Sequence, residues 1–223
     1  MPCGVAVDTE TEWVTVEESP ISIDRLKEKY SEKLKDPKNE FKNYLETINR
    51  QIIDIKKLVN EFSDFARMPT PIFKKINTID VIKRAVTFYK MSDKKINIDL
   101  RFNQNKDFFI KGDSEQLNRV FVNLIKNSLE AIDEKKQKDP NLQGKITIEI
   151  DENNEYIEIK MLDNGAGFKD TKDILKPYYT TKKDGTGLGL PIVSKIINEH
   201  KGEIKFLKNP NGAEIYINIP SYK

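Results

Sequence analysis

Five of the ten glycines in this chain fall in two short clusters, Asp163-Asn164-Gly165-Ala166-Gly167 and Gly185-Thr186-Gly187-Leu188-Gly189, the second followed by Leu190. Glycine at that density marks backbone that turns sharply or approaches another group closely, because a residue without Cβ tolerates both. The first cluster follows a run that reads as a strand, and the second precedes a run that reads as a helix. About forty residues before the first lie Asn123 and Asn127, four apart and therefore one above the other on a single helix face. In that order the three elements read as a nucleotide site: a loop for the base, a loop for the phosphates and an amide side chain for a metal.

The bulk composition is permissive. Lys and Arg total 38 against 36 Asp and Glu, a net charge of +2, which argues for neither nucleic acid nor an anionic membrane as partner. A single cysteine, Cys3, leaves no intrachain disulfide framework and suits a reducing compartment. No apolar run approaches the roughly 20 residues that cross a bilayer, and no cationic stretch leads into an apolar core at the N-terminus. The expectation is a soluble, cytoplasmic chain without membrane contact of its own, cut from a parent plausibly anchored by other segments.

Four regions are expected. Residues 1–19 lack Lys and Arg and hold Cys3 and Trp13, unlike the remainder, and read as a tag, junction or disordered arm. Residues 20–68 read as part of a helical hairpin. Its first leg, from about Pro20 to Leu34, places Ile23, Leu26, Tyr30 and Leu34 at helical spacing, and Asp36-Pro37 breaks it. Its second leg, from about Asn39 to Arg67, places Phe41, Leu45, Ile48, Ile52, Ile55, Val59, Phe62 and Ala66 at steps of four and three without a miss. At about 1.5 Å per residue that helix is roughly 40 Å long. A seam of this period fits a single amphipathic helix on its own core, but fits better a hairpin that dimerises into a four-helix bundle.

Residues 69–77, opening with Pro69-Thr70-Pro71, read as a linker. Residues 78–221 carry helices at Ile79–Met91, Ser114–Lys136 (with Ser114 as N-cap) and Pro191–Glu199. Strands are expected at Ile96–Phe102, Phe108–Ile110, Lys145–Ile150, Tyr156–Leu162, Glu203–Leu207 and Ala213–Ile219. Helices with antiparallel strands in this mixture imply a two-layer α/β sandwich, so the fold class is α+β.

Each motif has a plainer reading beside the chemical one. Leu117, Val120, Phe121, Leu124, Ile125 and Leu129 fill most of the circumference of the asparagine helix, leaving the Asn123/Asn127 face to look into a cleft. An uncharged amide oxygen suits Mg²⁺ already coordinated by phosphates, although two asparagines alone are as readily ordinary polar bridges. Asp163, at a strand end, can accept the exocyclic amine of adenine where Gly165 and Gly167 open the backbone, although the pentapeptide alone is equally a turn. The amides of Gly185, Thr186, Gly187, Leu188 and Gly189 at a helix start suit phosphate. That loop lacks the Gly-Lys-Ser/Thr ending of a Walker A motif and the context of a dinucleotide-binding fingerprint.

Taken together, Asn123 to Asn127, Asp163 to Gly167, Pro177-Tyr178-Tyr179-Thr180-Thr181-Lys182 and Gly185 to Leu190 resemble the N box, the F box and the two G boxes of the sensor histidine kinases. The resemblance covers about Thr78 to Pro220. The segment Val59 to Pro69 is similar to the second dimerisation helix of NtrY- and NtrB-type nitrogen-regulation sensors. This resemblance implies an α/β sandwich of the Bergerat ATP-binding type, shared with gyrase and MutL. It gives Mg²⁺ to Asn127 and the adenine amine to Asp163, and makes residues from about Phe168 to Gly185 a mobile lid. Thr181, Lys182 and the glycine-loop amides, with Asn123, complete the ATP site. The implied partners are a second copy, through the hairpin, and a response-regulator receiver domain.

Several positions qualify what the resemblance implies. ATP-hydrolysing relatives are expected to carry a glutamate base one turn before the metal asparagine; here that residue is Asn123, which takes no proton from water, so phosphoryl transfer fits better than hydrolysis. Lys126 is a candidate to neutralise phosphate charge, and equally a solvated helix lysine. The phosphoacceptor motif of the family, His-Glu-x-Lys/Arg-Asn-Pro, is absent, and Pro20-Ile-Ser-Ile-Asp-Arg-Leu is similar to the stretch just C-terminal to that motif in family members. The one histidine, His200, sits at a helix end and reads as structural rather than as a phosphoacceptor. No catalytic residue is therefore assigned with certainty, and a catalytically silent ATP-binding adaptor stands as the alternative to a kinase.

Overall fold

The computed structural model describes residues 40–66, 68–92, 97–153, 155–168, 170–180, 182 and 185–222. The chain divides into two compact units, Met1–Asn60 and Glu61–Lys223. The arm expected over residues 1–19 and the first hairpin leg lie outside the described residues.

Helix α1, Glu40–Ala66, realises the long seam within a residue of each expected end. Leu45 is buried, but Ile48, Ile55, Val59 and Phe62 are 46%, 62%, 54% and 47% exposed. A row of large apolar side chains left in water along one helix edge is the pattern of a helix that needs a neighbour.

The second unit is built on a five-stranded sheet, with β2 (Asn97–Phe102), β4 (Lys145–Glu152), β5 (Tyr156–Asp163), β6 (Glu203–Asn209) and β7 (Gly212–Pro220) in the order β2-β4-β5-β7-β6. The alternating sequences place one row of apolar side chains across all five strands, Phe102–Ile150–Ile159–Ile217–Ile204, each opposite the next. One residue along, the other face carries Arg101–Glu149–Lys160–Tyr216–Lys205. The period of two thus makes one face core and one face solvent. Arg101 pairs with Glu149 at 3.1 Å on the wet side, and Lys160 with Glu214 at 3.1 Å.

Helices α2 (Thr78–Ser92), α3 (Ser114–Lys136) and α4 (Gly189–Glu199) cover the apolar face. Their buried residues, among them Ile82 and Ala85, Val120 and Leu124, and Val193 and Ile196, join Ile148, Ile159 and Ile217 in one core. The two-layer α/β sandwich and the α+β class expected from sequence are therefore what forms.

Three sequence expectations are corrected. The strands are not all antiparallel: β2 runs parallel to β4, which is possible because a long crossover containing α3 joins them. The short strand expected at Phe108–Ile110 is β3, Phe109–Gly112, and it leaves the main sheet to pair antiparallel with β1, Lys74–Asn77, inside the segment read as linker. Ser114 is not the N-cap of α3. Asp113 takes that place, its carboxylate accepting from the N–H groups of Glu115 and Gln116; aspartate precedes serine here and reaches the same orphan donors.

Asp113 also joins three segments. Its Oδ2 accepts from the Ile72 N–H at 2.8 Å, while its own N–H donates to His200 Nε2 at 2.9 Å. Gln116 Nε2 donates to Pro69 O at 2.9 Å, and Phe73 meets the His200 ring edge-on at 5.1 Å. Residues 69–73 are thereby strapped to the start of α3. Burial pushes the Asp113 carboxyl upward, but the N–H groups of Ile72, Gln116 and Glu115 outweigh it and hold it below the usual carboxylate range.

His200 is 3% exposed, and Nδ1–H donates to Ile196 O at 2.8 Å, so both ring nitrogens are engaged and the ring is neutral. Burial lowers its pKa, only partly offset by the Ile196 carbonyl and the charges of Asp113 and Glu199. A histidine depressed in the folded state stabilises the fold above the unfolded value and loses that contribution as pH falls from about 6.5 through the folded pKa. Denaturant unfolding of the parent between about pH 7.5 and 5.5 is expected to show stability falling with pH, and His200→Gln to flatten that slope.

Candidate functional site

The site is laid out along α3, whose Asn123 and Asn127 are half-buried on one edge. Successive turns of that edge meet successive loops. A Cβ built on Gly189, the first residue of α4, would lie 3.8 Å from Asn123 Oδ1. One turn on, Lys182 Nζ donates to Asn127 Oδ1 at 3.4 Å and also to a Glu130 carboxylate oxygen. Ser128, 3% exposed, donates its hydroxyl to Asp163 Oδ2 at 2.7 Å. Ala131 O accepts from the Ala166 N–H at 3.0 Å, and Lys135 Nζ donates to both Asn164 O and Asn211 O at 3.0 Å.

Asp163 is the hub of the first glycine loop. Its Oδ1 accepts from the Gly165 N–H at 2.9 Å and the Ala213 N–H at 3.1 Å, so with Ser128 three donors from α3, β7 and its own loop fix one carboxylate. With both oxygens held, the group keeps lone pairs in fixed directions for one further donor. The glycines are required by contact. A Cβ on Gly165 would stand 2.6 Å from the Ala131 carbonyl carbon, and one on Gly167, at φ +71°, would stand 2.5 Å from Gly212 O. Gly212 itself would meet Asp163 O at 1.9 Å, so the β6–β7 turn is seated against the loop.

The second glycine loop is equally close-fitting. Gly187 has φ +70°, its carbonyl accepts from the Tyr178 N–H at 3.1 Å, and a Cβ there would meet Tyr178 C at 2.5 Å. A Cβ on Gly185 would meet Thr180 Oγ1 at 2.4 Å. Thr186 lies between these glycines. Leu188 is fully buried, and α4 begins at Gly189, two residues earlier than the sequence pattern placed it. No side chain caps that helix start, which leaves its first N–H groups to a loop or a ligand.

The remaining sequence candidates divide. Lys126 is half-exposed and lies 4.0 Å from Glu130, one turn along its own helix. Thr181 lies outside the described residues. Ser128 and Glu130 join the site without having been singled out by sequence, though they flank Asn127 by one and three residues. Lys135, Gly212 and Ala213 join it too, and reach the loop only through the fold. A groove of about 490 Å³ is lined instead by Leu175, Pro177, Pro191 and Lys195 and their neighbours, and includes none of the residues assigned to the site.

A mixed sheet covered on one face by three helices, with one glycine loop at a strand end and another at a helix start gathered along a third element, defines an ATP-binding α/β sandwich of the Bergerat type. Residues 112–223 match the family of Histidine kinase-, DNA gyrase B-, and HSP90-like ATPases, and the chain belongs to it. Within that family its ATP-binding domain is NtrY-like. It is 37% identical over 185 residues to an NtrY-like sensor histidine kinase of Rickettsia felis, covering 82% of this chain and 29% of that protein. It is 32% identical over 201 residues to nitrogen regulation protein NtrY of Azorhizobium caulinodans, covering 89% and 26%. The chain thus spans less than a third of either relative. The fold matches that of histidine kinase ThkA in its complex with response regulator TrrA, with a TM-score of 0.65 at 24% identity over 92% of this chain and 58% of that one.

Gly165→Ala would press a methyl into the α3 backbone at Ala131 and Ile132. It is expected to cost about 1–3 kcal/mol and to lower the midpoint of thermal unfolding by several degrees, read by scanning calorimetry.

Proposed function

We propose that this chain is the ATP-binding, catalytic part of a two-component sensor histidine kinase, which presents the γ-phosphoryl of Mg-ATP to a histidine supplied by another segment, from which it passes to a response-regulator aspartate. The observation that carries the reading is the Asp163 carboxylate, fixed by Ser128, Gly165 and Ala213 beside the Asn127 edge of α3. In this reading Asp163 accepts the adenine amine. Gly165 and Gly167 admit the ring. Lys182, Thr181 and the amides of Gly185, Thr186, Gly187, Leu188 and Gly189 take the phosphates.

The donor set fits a metal. Asn127 Oδ1 already holds a cation, the Lys182 ammonium, with the Glu130 carboxylate beside it, and Mg²⁺ takes such oxygens together with phosphate and water. When bound, the ion would neutralise phosphate charge. The chain's own residues bind and orient: catalysis of phosphoryl transfer is mostly positioning and electrostatics. Asn123 offers no base to activate water, and Lys126 stands near enough to Glu130 to contribute charge at the rim. His200, with both ring nitrogens engaged in the fold, does not act as acceptor.

Residues 20–68 belong, in this reading, to a dimerisation hairpin, with the exposed Ile48, Ile55, Val59 and Phe62 as its seam against a second copy, and residues 1–19 stand outside both functional parts. The response-regulator partnership follows the one that ThkA makes with TrrA. Among the described residues no helix is long and apolar enough to cross a membrane; the reading places this part in the cytoplasm on a parent anchored elsewhere. One observation favours a second reading, a silent ATP-binding adaptor: the only histidine of the sequence is the buried His200.

Calorimetric titration with a non-hydrolysable ATP analogue is expected to show binding assisted by Mg²⁺, and Asp163→Asn to abolish it; an Asp163→Asn protein that binds like the parent would overturn the site. With ATP alone the chain is expected to form no phosphohistidine, whereas a supplied hairpin bearing a phosphoacceptor histidine becomes labelled. Binding without such labelling would favour the adaptor.

A further inference from the structure

We propose that Glu130 sets the magnesium dependence of nucleotide binding, by keeping Lys182 in the place of the metal until the metal arrives; this rests on the ATP-site reading above. Glu130 lies three residues after Asn127, so the two side chains rise from adjacent turns of the same edge of α3. One Glu130 oxygen holds the Lys182 ammonium, and Lys126 Nζ stands 4.0 Å from the other. The same Lys182 ammonium is 3.4 Å from Asn127 Oδ1. A single cation is thus shared between an amide oxygen and a carboxylate, and both are oxygens that a hard dication takes.

A dication at those oxygens would repel the Lys182 ammonium. Without Mg²⁺, an incoming polyphosphate meets the Glu130 carboxylate as a like charge and finds the lid lysine already paired. With Mg²⁺ the carboxylate faces a dication, and Lys182 is released toward the phosphates. Metal-free nucleotide is disfavoured twice, by repulsion and by a sequestered lysine, and both penalties come from Glu130. The ion pair suits exchange, because its partners are 35% and 40% exposed.

The test is titration of the full chain with a non-hydrolysable ATP analogue, in Mg²⁺ and in chelator. The parent is expected to bind on the order of tenfold or more tighter with Mg²⁺, and Glu130→Gln to bring that ratio to within about threefold, chiefly by strengthening metal-free binding. Glu130→Ala should change the ratio in the same direction, with circular dichroism of both variants unchanged. Glu130→Asp should keep most of the parent's ratio. A Glu130→Gln protein that binds with the parent's ratio overturns the placeholder and leaves the ATP site standing. A parent that binds the analogue in neither condition overturns the ATP site itself, and this proposal with it.

Discussion

The hydrogen bonds that converge on Asp163 are what the rest of the site depends on. A strand end, a helix and the start of the neighbouring strand each give one donor to a single carboxylate: Gly165 N–H beyond β5, Ser128 Oγ on α3 and Ala213 N–H on β7. A half-buried carboxylate accepts such bonds strongly because it is charged. If any one donor is withdrawn, the group is left partly unsatisfied where water reaches it poorly. Three elements distant in sequence are therefore held in one register by the residue that the site most needs in place.

Helix α3 supplies the second constraint, which is spacing. From Asn123 to Lys135 the edge that meets the loops spans about 18 Å at 1.5 Å per residue. Along it come Gly189, then Lys182, Asp163, Ala166 and Asn164. The N-terminal turns of the same helix, through Leu117, Val120, Phe121 and Leu124, are fixed in the core. A helix anchored over its first turns holds the positions that follow at fixed intervals. Lys135 closes the far end by drawing the first glycine loop and the β6–β7 turn to one ammonium. The glycines are then a consequence of distance: at Gly165, Gly187 and Gly212 the neighbouring backbone stands where a Cβ would be.

Much of this is legible in the chain itself. The period of two in Lys145–Ile150 and Tyr156–Leu162 marks the central hairpin, and the apolar pattern from Ser114 to about Lys136 marks α3. The glycine clusters mark the loops. What stays hidden is long-range pairing. Lys74–Asn77 and Phe109–Gly112 are short, and Lys74-Lys75 looks like linker until the strand opposite is known. The parallel course of β2 against β4 depends on a crossover, which periodicity does not report. Lys135 and Ala213 enter the site through the fold alone, their sequence neighbourhoods offering nothing beyond helix and strand. Serine is favoured at an N-cap, which points to Ser114, but the aspartate one residue earlier also reaches Ile72 and faces His200 through its N–H, a choice set by tertiary contacts.

The charges around Glu130 show how weakly held groups and firmly held ones divide the work of the site. Asp163 is locked by neutral donors on rigid elements, whereas Glu130 pairs with two flexible lysines, Lys126 at 4.0 Å and Lys182 more closely. An ion pair between partners this exposed is worth about 0–1 kcal/mol, less than the coordination of a divalent ion by phosphate and carboxylate oxygens. Recognition of a base requires a carboxylate that does not move, because its lone pairs carry the direction. Taking up a polyphosphate with its metal requires charges that can be re-paired at small cost as a dication and several negative oxygens enter together. In the proposed reading the first kind of carboxylate stands at a strand end ahead of two glycines and the second on an open helix turn, and the difference in what holds them separates their roles.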